Sequence, residues 1–501
     1  MVPKVKGKEQ QKILGVAYNA LDKRKRTLLS RIAAFRSPMT YEALSVLNPY
    51  TKDKQLDAAL QELIDRGLVF FDRERERYDL HPVVRRYAYD RLADKEGVHG
   101  RLRDYFAAVP APEEDKVQSV DDLAPVIELY HHTVRAGRYD EACDLLYERL
   151  RDPLFFCFGA YQTYIELLRA LFPDGEGCPP RLQNVSAQGW TLNALAGSYA
   201  LSGQPRNAVR ILQAGLVVAE KLGEEGNVAR GLVNLAGQRI VLGELAAAEA
   251  NLRQAIDLCR EAGDESYEAV GHQELGRLLA FRAVFTESEE QLATAQGVFD
   301  RMEARGTNFV SVVRAYRAER ALLMGDAGAA LAAARRAREL ADEVARTQFP
   351  FERDIIRAEW LLGAALVALA CDKRGREAKN LADAETHLTE ALTRCRRINL
   401  VDHEPDILLA WARWHRAKGN AQQARAHAQE ALAIAVRCEY RLAQADAHNL
   451  LARLALDAGD QPLARQHAEM ARERALCDGP PHCYQPALDE AERLLKAAPA
   501  Q

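Results

Sequence analysis

Twelve histidines and nine cysteines are the side chains from which this chain could assemble nucleophilic or metal chemistry, and their spacing decides what they can do. His131 and His132 adjoin on one helix. Successive helical side chains project to different faces, so this pair is not expected to chelate an ion by itself. His427 and His467 lie 40 residues apart, a spacing that matches a repeat period better than a ligand pair. Neither H-E-x-x-H nor G-x-S-x-G occurs, and no cysteine–histidine array has zinc spacing. The cysteines (Cys143, Cys157, Cys178, Cys259, Cys371, Cys395, Cys438, Cys477 and Cys483) form no C-x-x-C pair. An odd, scattered set reads as structural thiols in a reducing compartment, so the expected location is cytoplasmic. Catalytic residues and metal ligands are both expected to be absent.

The elements that would position any site are announced by a repeat. Its clearest copy is Gly243-Glu-Leu-Ala-Ala-Ala248-Glu-Ala-Asn-Leu252-Arg-Gln-Ala255, a turn glycine followed by small and large apolar residues at helical spacing. The frame fits Gly203/Ala208/Leu212/Gly215, Gly419/Ala424/Ala428/Ala431 and Gly459/Ala464/Ala468/Ala471. Gly203 and Gly243 are 40 residues apart, as are Gly419 and Gly459. A fixed period of this length means stacked helical hairpins whose cores merge. The small residues belong where the two helices of a hairpin cross, because a larger side chain there would hold the backbones apart. Hydrophobic residues make up 48% of the chain and charged ones 28%, as in an ordinary water-exposed protein. The net charge of −4 gives no whole-protein case for nucleic acid. No apolar run approaches the ~20 residues of a membrane span, and no apolar segment of the signal-peptide kind follows Met1.

Position by position, the frame resembles tetratricopeptide repeats in a form of about 40 residues rather than the usual 34. The expected fold class is therefore all-α dominated, an N-terminal winged helix followed by a tetratricopeptide-like α-solenoid. Four regions are expected: a winged-helix domain at 1–93, a helical adaptor with degenerate first repeats at 94–185, about seven repeats at 186–476, and a capping helix with tail at 477–501. A charged insertion around Asp372–Lys379 interrupts the array, and the polar break Pro110–Asp115 is the best boundary. The aromatic stretch Leu154–Phe172 fits the frame badly and reads as a degenerate repeat or a cap on the solenoid's end. The resemblance implies that the first helix of each hairpin lines a concave groove. Its inward candidates are Trp190, Asn193, Gln273, Arg277, Glu319, Arg413, Arg416, Asn449 and Arg453. The arginines among them would suit an acidic peptide or protein segment through bidentate carboxylate contacts.

In the N-terminal region, the apolar positions Leu56, Leu60, Leu63 and Ile64 mark a helix that Gly67 stops. Leu68–Phe71 and Tyr78–Leu80 then read as a two-strand wing around a charged turn. A winged helix that reads DNA carries positive charge into the major groove. Here the helix before the wing holds Asp53, Asp57, Glu62 and Asp65 against Lys54 and Arg66, so nucleic acid is not an expected partner. The basic run Lys23-Arg-Lys-Arg26 reads as a solvated face at a helix start.

Leu21-Asp-Lys-Arg-Lys-Arg-Thr-Leu-Leu-Ser-Arg-Ile-Ala-Ala-Phe35 resembles the opening of the winged-helix domain of STAND-class, NB-ARC-type signalling NTPases, and Leu80-His-Pro-Val-Val-Arg-Arg-Tyr-Ala-Tyr-Asp-Arg-Leu92 is similar to the segment with their Met-His-Asp motif. The resemblance covers about 90 residues and implies that His81 reaches the β-phosphate of ADP held by a preceding nucleotide domain. Pro82 stands where the family has Asp, so no carboxylate role carries over. A G-x-x-x-x-G-K-[ST] loop is missing from all 501 residues, so ADP or ATP is expected only with an NTPase domain encoded upstream, and the chain reads as a fragment of a longer protein. The expected role is the non-catalytic sensor half of such an NTPase: repeats bind a protein or peptide trigger, a hinge at 93–120 switches, and self-association follows. A transcription regulator with the repeats as effector domain, and a constitutive peptide-binding scaffold, are the alternatives.

Overall fold

The computed structural model describes residues 14–110, 117–302, 307–347, 350–372 and 378–499. Residues 111–115 of the polar break, most of the charged insertion at 372–379 and the part of the hinge at 111–116 therefore lie outside the described residues. Chain packing separates two compact units, one of residues 1–151 with 181–183 and one of 152–180 with 184–501. No helix among the described residues is long and apolar enough to cross a membrane.

In the first unit, helices Lys23–Ile32, Tyr41–Ser45 and Asp53–Asp65 precede an antiparallel hairpin, and Pro82–Tyr89, Lys95–Ala108 and Ala124–Arg135 follow it. Asp22 and Thr40 start their helices by accepting from the amides of Lys25 and Ala43. Leu28, Leu29, Ile32, Leu56, Leu60 and Leu63 share one buried cluster, as their helical spacing requires. The strands β1 (Phe70–Asp72) and β2 (Arg77–Asp79) pair Phe71 with Tyr78. The first begins later than the apolar run Leu68–Phe71 implies. Gly67 turns the chain at φ +67°, and the Leu68 and Val69 amides are used up on the Leu63 carbonyl at 2.9 and 3.2 Å. Lys25 of the basic run pairs with Asp22 at 3.0 Å and with Glu62 of the acidic helix, which neutralises part of both features.

The second unit contains seven consecutive helical hairpins, from Val185–Leu201 with Pro205–Leu222 to Arg441–Asp457 with Gln461–Ala475, followed by helix Gln485–Ala497. This is a tetratricopeptide-like α-solenoid. The frame residues Ala208, Ala248, Leu252, Ala424, Ala428, Ala464 and Ala468 are all fully buried at the crossings. Gly203, Gly243, Gly325, Gly419 and Gly459 end first helices with φ between +76° and +81°. In the third hairpin the same position is Ala283, held at φ +58°. A left-handed alanine costs roughly 1–2 kcal/mol, so Ala283→Gly is expected to stabilise the unit by about 1 kcal/mol in denaturant unfolding. A loss of stability would show that the methyl group makes compensating contacts.

The superhelix completes a turn and meets itself. The Val401 amide donates to the Leu201 carbonyl at 3.0 Å, Arg206 pairs with Glu439 at 2.7 Å, and Asp478 accepts from the Ala246 amide at 2.9 Å. Farther along this seam Arg282 donates to the Pro481 carbonyl at 3.0 Å, and Phe281 meets the ring of Tyr484 edge-on. The aromatic stretch expected as a degenerate repeat or end cap also reaches the fifth hairpin: Phe156 packs on Phe351, and Tyr161 shares a buried cluster with Ile398, Leu400 and Trp360. Its aromatic residues fit the repeat frame badly because they pack across the turn of the superhelix.

Candidate functional site

Closing the turn converts the concave face into a cavity of about 1280 Å³ inside the second unit. First helices line it with one face each: Asn193, Gly197 and Ala200 from the first hairpin, Asn234, Gly237 and Val241 from the second, Glu274, Arg277 and Phe281 from the third. The steps of three and four residues are those of a single helical stripe. Tyr316 and Glu319, then Trp360, Ala364 and Val367, continue it. Asp406, Leu409, Arg413 and Arg416 come from the sixth hairpin, Tyr440 and Asp446 from the seventh, and Tyr484 from beyond it.

Carboxylates outnumber arginines in the cavity wall. Among the described lining residues Glu274, Glu319, Glu352, Asp354, Asp402, Asp406, Asp446 and Asp457 face only four arginines, Arg277, Arg353, Arg413 and Arg416. Three of those arginines are already committed, and so are two of the carboxylates, Glu352 to Arg394 and Arg397 at 2.9 Å and Asp354 to Arg357 at 3.3 Å, arginines that lie outside the lining. Arg277 Nε lies 2.9 Å from Glu319, with its guanidinium 4.9 Å from the Tyr316 ring centre. Arg353 pairs with Asp402 at 2.8 Å, and Arg416 holds Asp457 through two bonds of 2.6 and 3.1 Å. Tyr316 donates to Glu274 at 2.8 Å and Tyr484 to Asp446 at 3.1 Å. The Asp406 side chain makes no hydrogen bond or ion pair with any described residue. Burial, reinforced by the charges of Glu319 and Asp446, pushes its carboxyl up to about 8. Burial likewise lifts Asp446 to about 6 and drops His403, stacked on Trp360, to about 3.

Of the residues expected to face inward, Asn193, Arg277, Glu319, Arg413 and Arg416 line this cavity, whereas Trp190, Gln273, Asn449 and Arg453 do not. Asn449 donates to the Ala487 carbonyl at 2.8 Å and Arg453 pairs with Glu490, because helix Gln485–Ala497 covers that part of the seventh hairpin. Gln273 is buried between helices with its amide on Glu274, and Trp190 is half-buried one turn before Asn193. Three of the four lining arginines are paired in place, so the lining gives no separate support to an acidic segment. The cluster Asp402, His403, Asp406 escapes sequence reading because it looks like a polar helix start between repeats.

His81, in the first unit, is exposed and caps helix Pro82–Tyr89 by accepting from the Val83 amide on Nδ1 at 3.3 Å. His131 and His132, expected to be unable to share an ion, are brought together by a third histidine. His99, on helix Lys95–Ala108, places its Nδ1 2.9 Å from His132 Nδ1, and one ring nitrogen of each of the three lies within 4.8 Å of the others. Adjacent residues diverge by about 100° around a helix, but a facing helix seats its own side chain in that angle. His427 and His467 remain apart, stacked on His415 and bonded to His448 respectively.

No protein-family model and no curated protein sequence matches the chain. Among solved structures it is similar to a signal transduction ATPase with numerous domains (STAND) carrying a tetratricopeptide repeat sensor from Pyrococcus horikoshii, at 17% identity and TM-score 0.43, over 100% of this chain and 68% of that one. It is also similar to a Rap protein complexed with competence and sporulation factor, at 11% identity and TM-score 0.46, over 81% of this chain and 94% of that one. A third is the apo form of the quorum sensor NprR from B. thuringiensis, at 12% identity and TM-score 0.41, over 76% and 94%.

Proposed function

We propose that the second unit is the sensing arm of a regulatory protein, and that its cavity captures a short basic peptide segment. The observation that supports this reading most is the lining itself: Glu274, Asp406 and Asp446 stand outside any ion pair with a described residue, the other five carboxylates are already paired, and Trp360, Tyr316, Tyr440 and Tyr484 lie beside them. A lysine or arginine side chain entering there gains carboxylate partners and aromatic faces together. At about 1280 Å³ the cavity exceeds the ~300–1,000 Å³ of ordinary small-molecule sites, which favours a segment of several residues. Asp406 is mostly protonated below pH 8 in the empty cavity, and an arriving cation would ionise it and release a proton.

In this reading the first unit, taken as a winged helix with Leu80-His81-Pro82, relays occupancy to a nucleotide-binding domain that lies outside this chain. His81 spends Nδ1 on its helix cap, which leaves Nε2 as the atom that would meet a phosphate of ADP. The chain acts as a binding and signalling element, not as a catalyst. Titration of the protein with matched basic and acidic peptide pools at pH 8 and low salt is expected to give one saturable site for basic peptides. A preference for acidic peptides would overturn the proposal.

A further inference from the structure

The buried histidine cluster of the first unit is chemically separate from the cavity. His99 and His132 are almost fully inaccessible, and His131 is half-buried beside them. Their ring centres lie 5.1–5.9 Å apart. Three imidazoles converging in a core are costly unless something uses their lone pairs, because a buried ring nitrogen without a partner forfeits its hydration. Two atoms there have no partner among the described residues, His132 Nε2 and Glu128 Oε2, which lie 3.5 Å apart. The other carboxylate oxygen of Glu128 is held by Ser37 at 2.5 Å.

From this convergence we infer that His99, His131 and His132 form a binding site for a divalent transition cation of the zinc class. The 2.9 Å approach of His99 Nδ1 to His132 Nδ1 places two lone-pair sites face to face, and without an ion a single proton must lie between them. A cation taking both Nδ1 atoms fixes the proton of each ring on Nε2. His99 Nε2–H then donates to the Tyr89 hydroxyl, 2.9 Å away, and His132 Nε2–H points at Glu128 Oε2. That supplies the outer partners that metal-bound histidines usually have, a hydroxyl for one and a carboxylate for the other. Imidazole nitrogens without thiolates suit zinc, copper or nickel better than calcium or magnesium.

The fit requires modest movement. Two nitrogens at ~2.0–2.1 Å from a tetrahedral ion sit about 3.3 Å apart, so the His99–His132 approach must open by ~0.4 Å and His131 must swing in. Phe106, stacked on His132 at 5.5 Å, and Phe35, edge-on at 6.1 Å, hold that ring in place. Burial holds the three imidazoles below the ordinary histidine range, so the rings sit there uncharged. The ion would tie helix Lys95–Ala108 to helix Ala124–Arg135.

The test is titration of the full chain with Co²⁺, followed by Zn²⁺ displacement, with the cysteines kept reduced. One Co²⁺ per chain is expected, with visible ligand-field bands and no thiolate charge-transfer band. His131→Gln and His99→Gln each remove a direct ligand and should weaken binding by more than the roughly 10–100-fold that loss of an outer partner costs, with unchanged circular dichroism, while His427→Gln leaves it intact. His131 is the less buried ligand, so its variant remains decisive if a variant at His132 fails to fold. Absence of binding at millimolar Co²⁺, a thiolate band, or unchanged affinity in His131→Gln would each overturn the assignment.

Discussion

Replacing Gly159 with alanine is expected to destabilise the repeat unit by about 2–5 kcal/mol, whereas Gly419→Ala or Gly459→Ala should cost only about 1–2. All three glycines have positive φ, +56° for Gly159 and +79° and +76° for the others, so each substitution carries the strain of a left-handed L-residue. They differ in what a β-carbon would meet. At Gly419 and Gly459 the space is open, but at Gly159 the new methyl group would collide with the Ile398 side chain and lie 2.6 Å from the Ile398 carbonyl oxygen. Backbone cannot rotate away, so the aromatic strap would be lifted off the fifth hairpin. Gly243 is intermediate, since its β-carbon would press on the flexible Arg441 side chain, 2.5 Å away. Denaturant midpoints of the four variants give the ranking, and equal losses at Gly159 and Gly459 would contradict a closed superhelix.

Asp406→Asn should stabilise the protein, by an amount that grows with pH. The unfolded carboxyl titrates near 3.8 and the folded one at about 8, so between these values the folded state binds the extra proton and stability falls as pH rises. Below pH 3.8 the carboxyl of the native chain and the amide of the variant are both neutral, and the two chains differ little. By pH 8 the penalty that asparagine removes reaches at most about 5 kcal/mol, less whatever water in the cavity screens. The same proton links stability to the ligand: basic-peptide affinity is expected to increase from pH 6 to pH 8 in the native chain. In the variant that slope should flatten. Calorimetry in two buffers of different ionisation enthalpy reads the proton directly, and a pH-independent stability difference would place the charge of Asp406 elsewhere.

What was legible in the sequence is what repeats locally. Gly243, Ala248, Leu252 and Ala255 disclose a hairpin because turn and crossing impose residue types at fixed distances. Leu56, Leu60 and Leu63 disclose a core helix for the same reason. The cavity was only half legible. Arg277 and Arg416 do face inward, but their partners Glu319 and Asp457 stand 42 and 41 residues away, and pairing across neighbouring hairpins turned apparent receptors for acid into neutralised walls. That one-repeat separation is itself the signal that would have found them. The seam between Leu201 and Val401, and the position of Asp402, His403 and Asp406 on the inner face, depend on how far each hairpin rotates on the last. Small rotations summed over five hairpins leave no mark on any single residue pair. The histidine cluster was missed because a facing helix, not the helix carrying the adjacent pair, completes it.

The most direct measurement compares basic-peptide binding in the native chain and in Gly237→Trp. Gly237 lines the cavity from a helix, and a β-carbon there meets nothing within 4 Å, so the new side chain starts from open space on the cavity side. If the cavity is the receptor, Gly237→Trp keeps its fold and stability while the basic-peptide site is lost. Undiminished binding by the folded variant would contradict the account and put the receptor surface outside the superhelix.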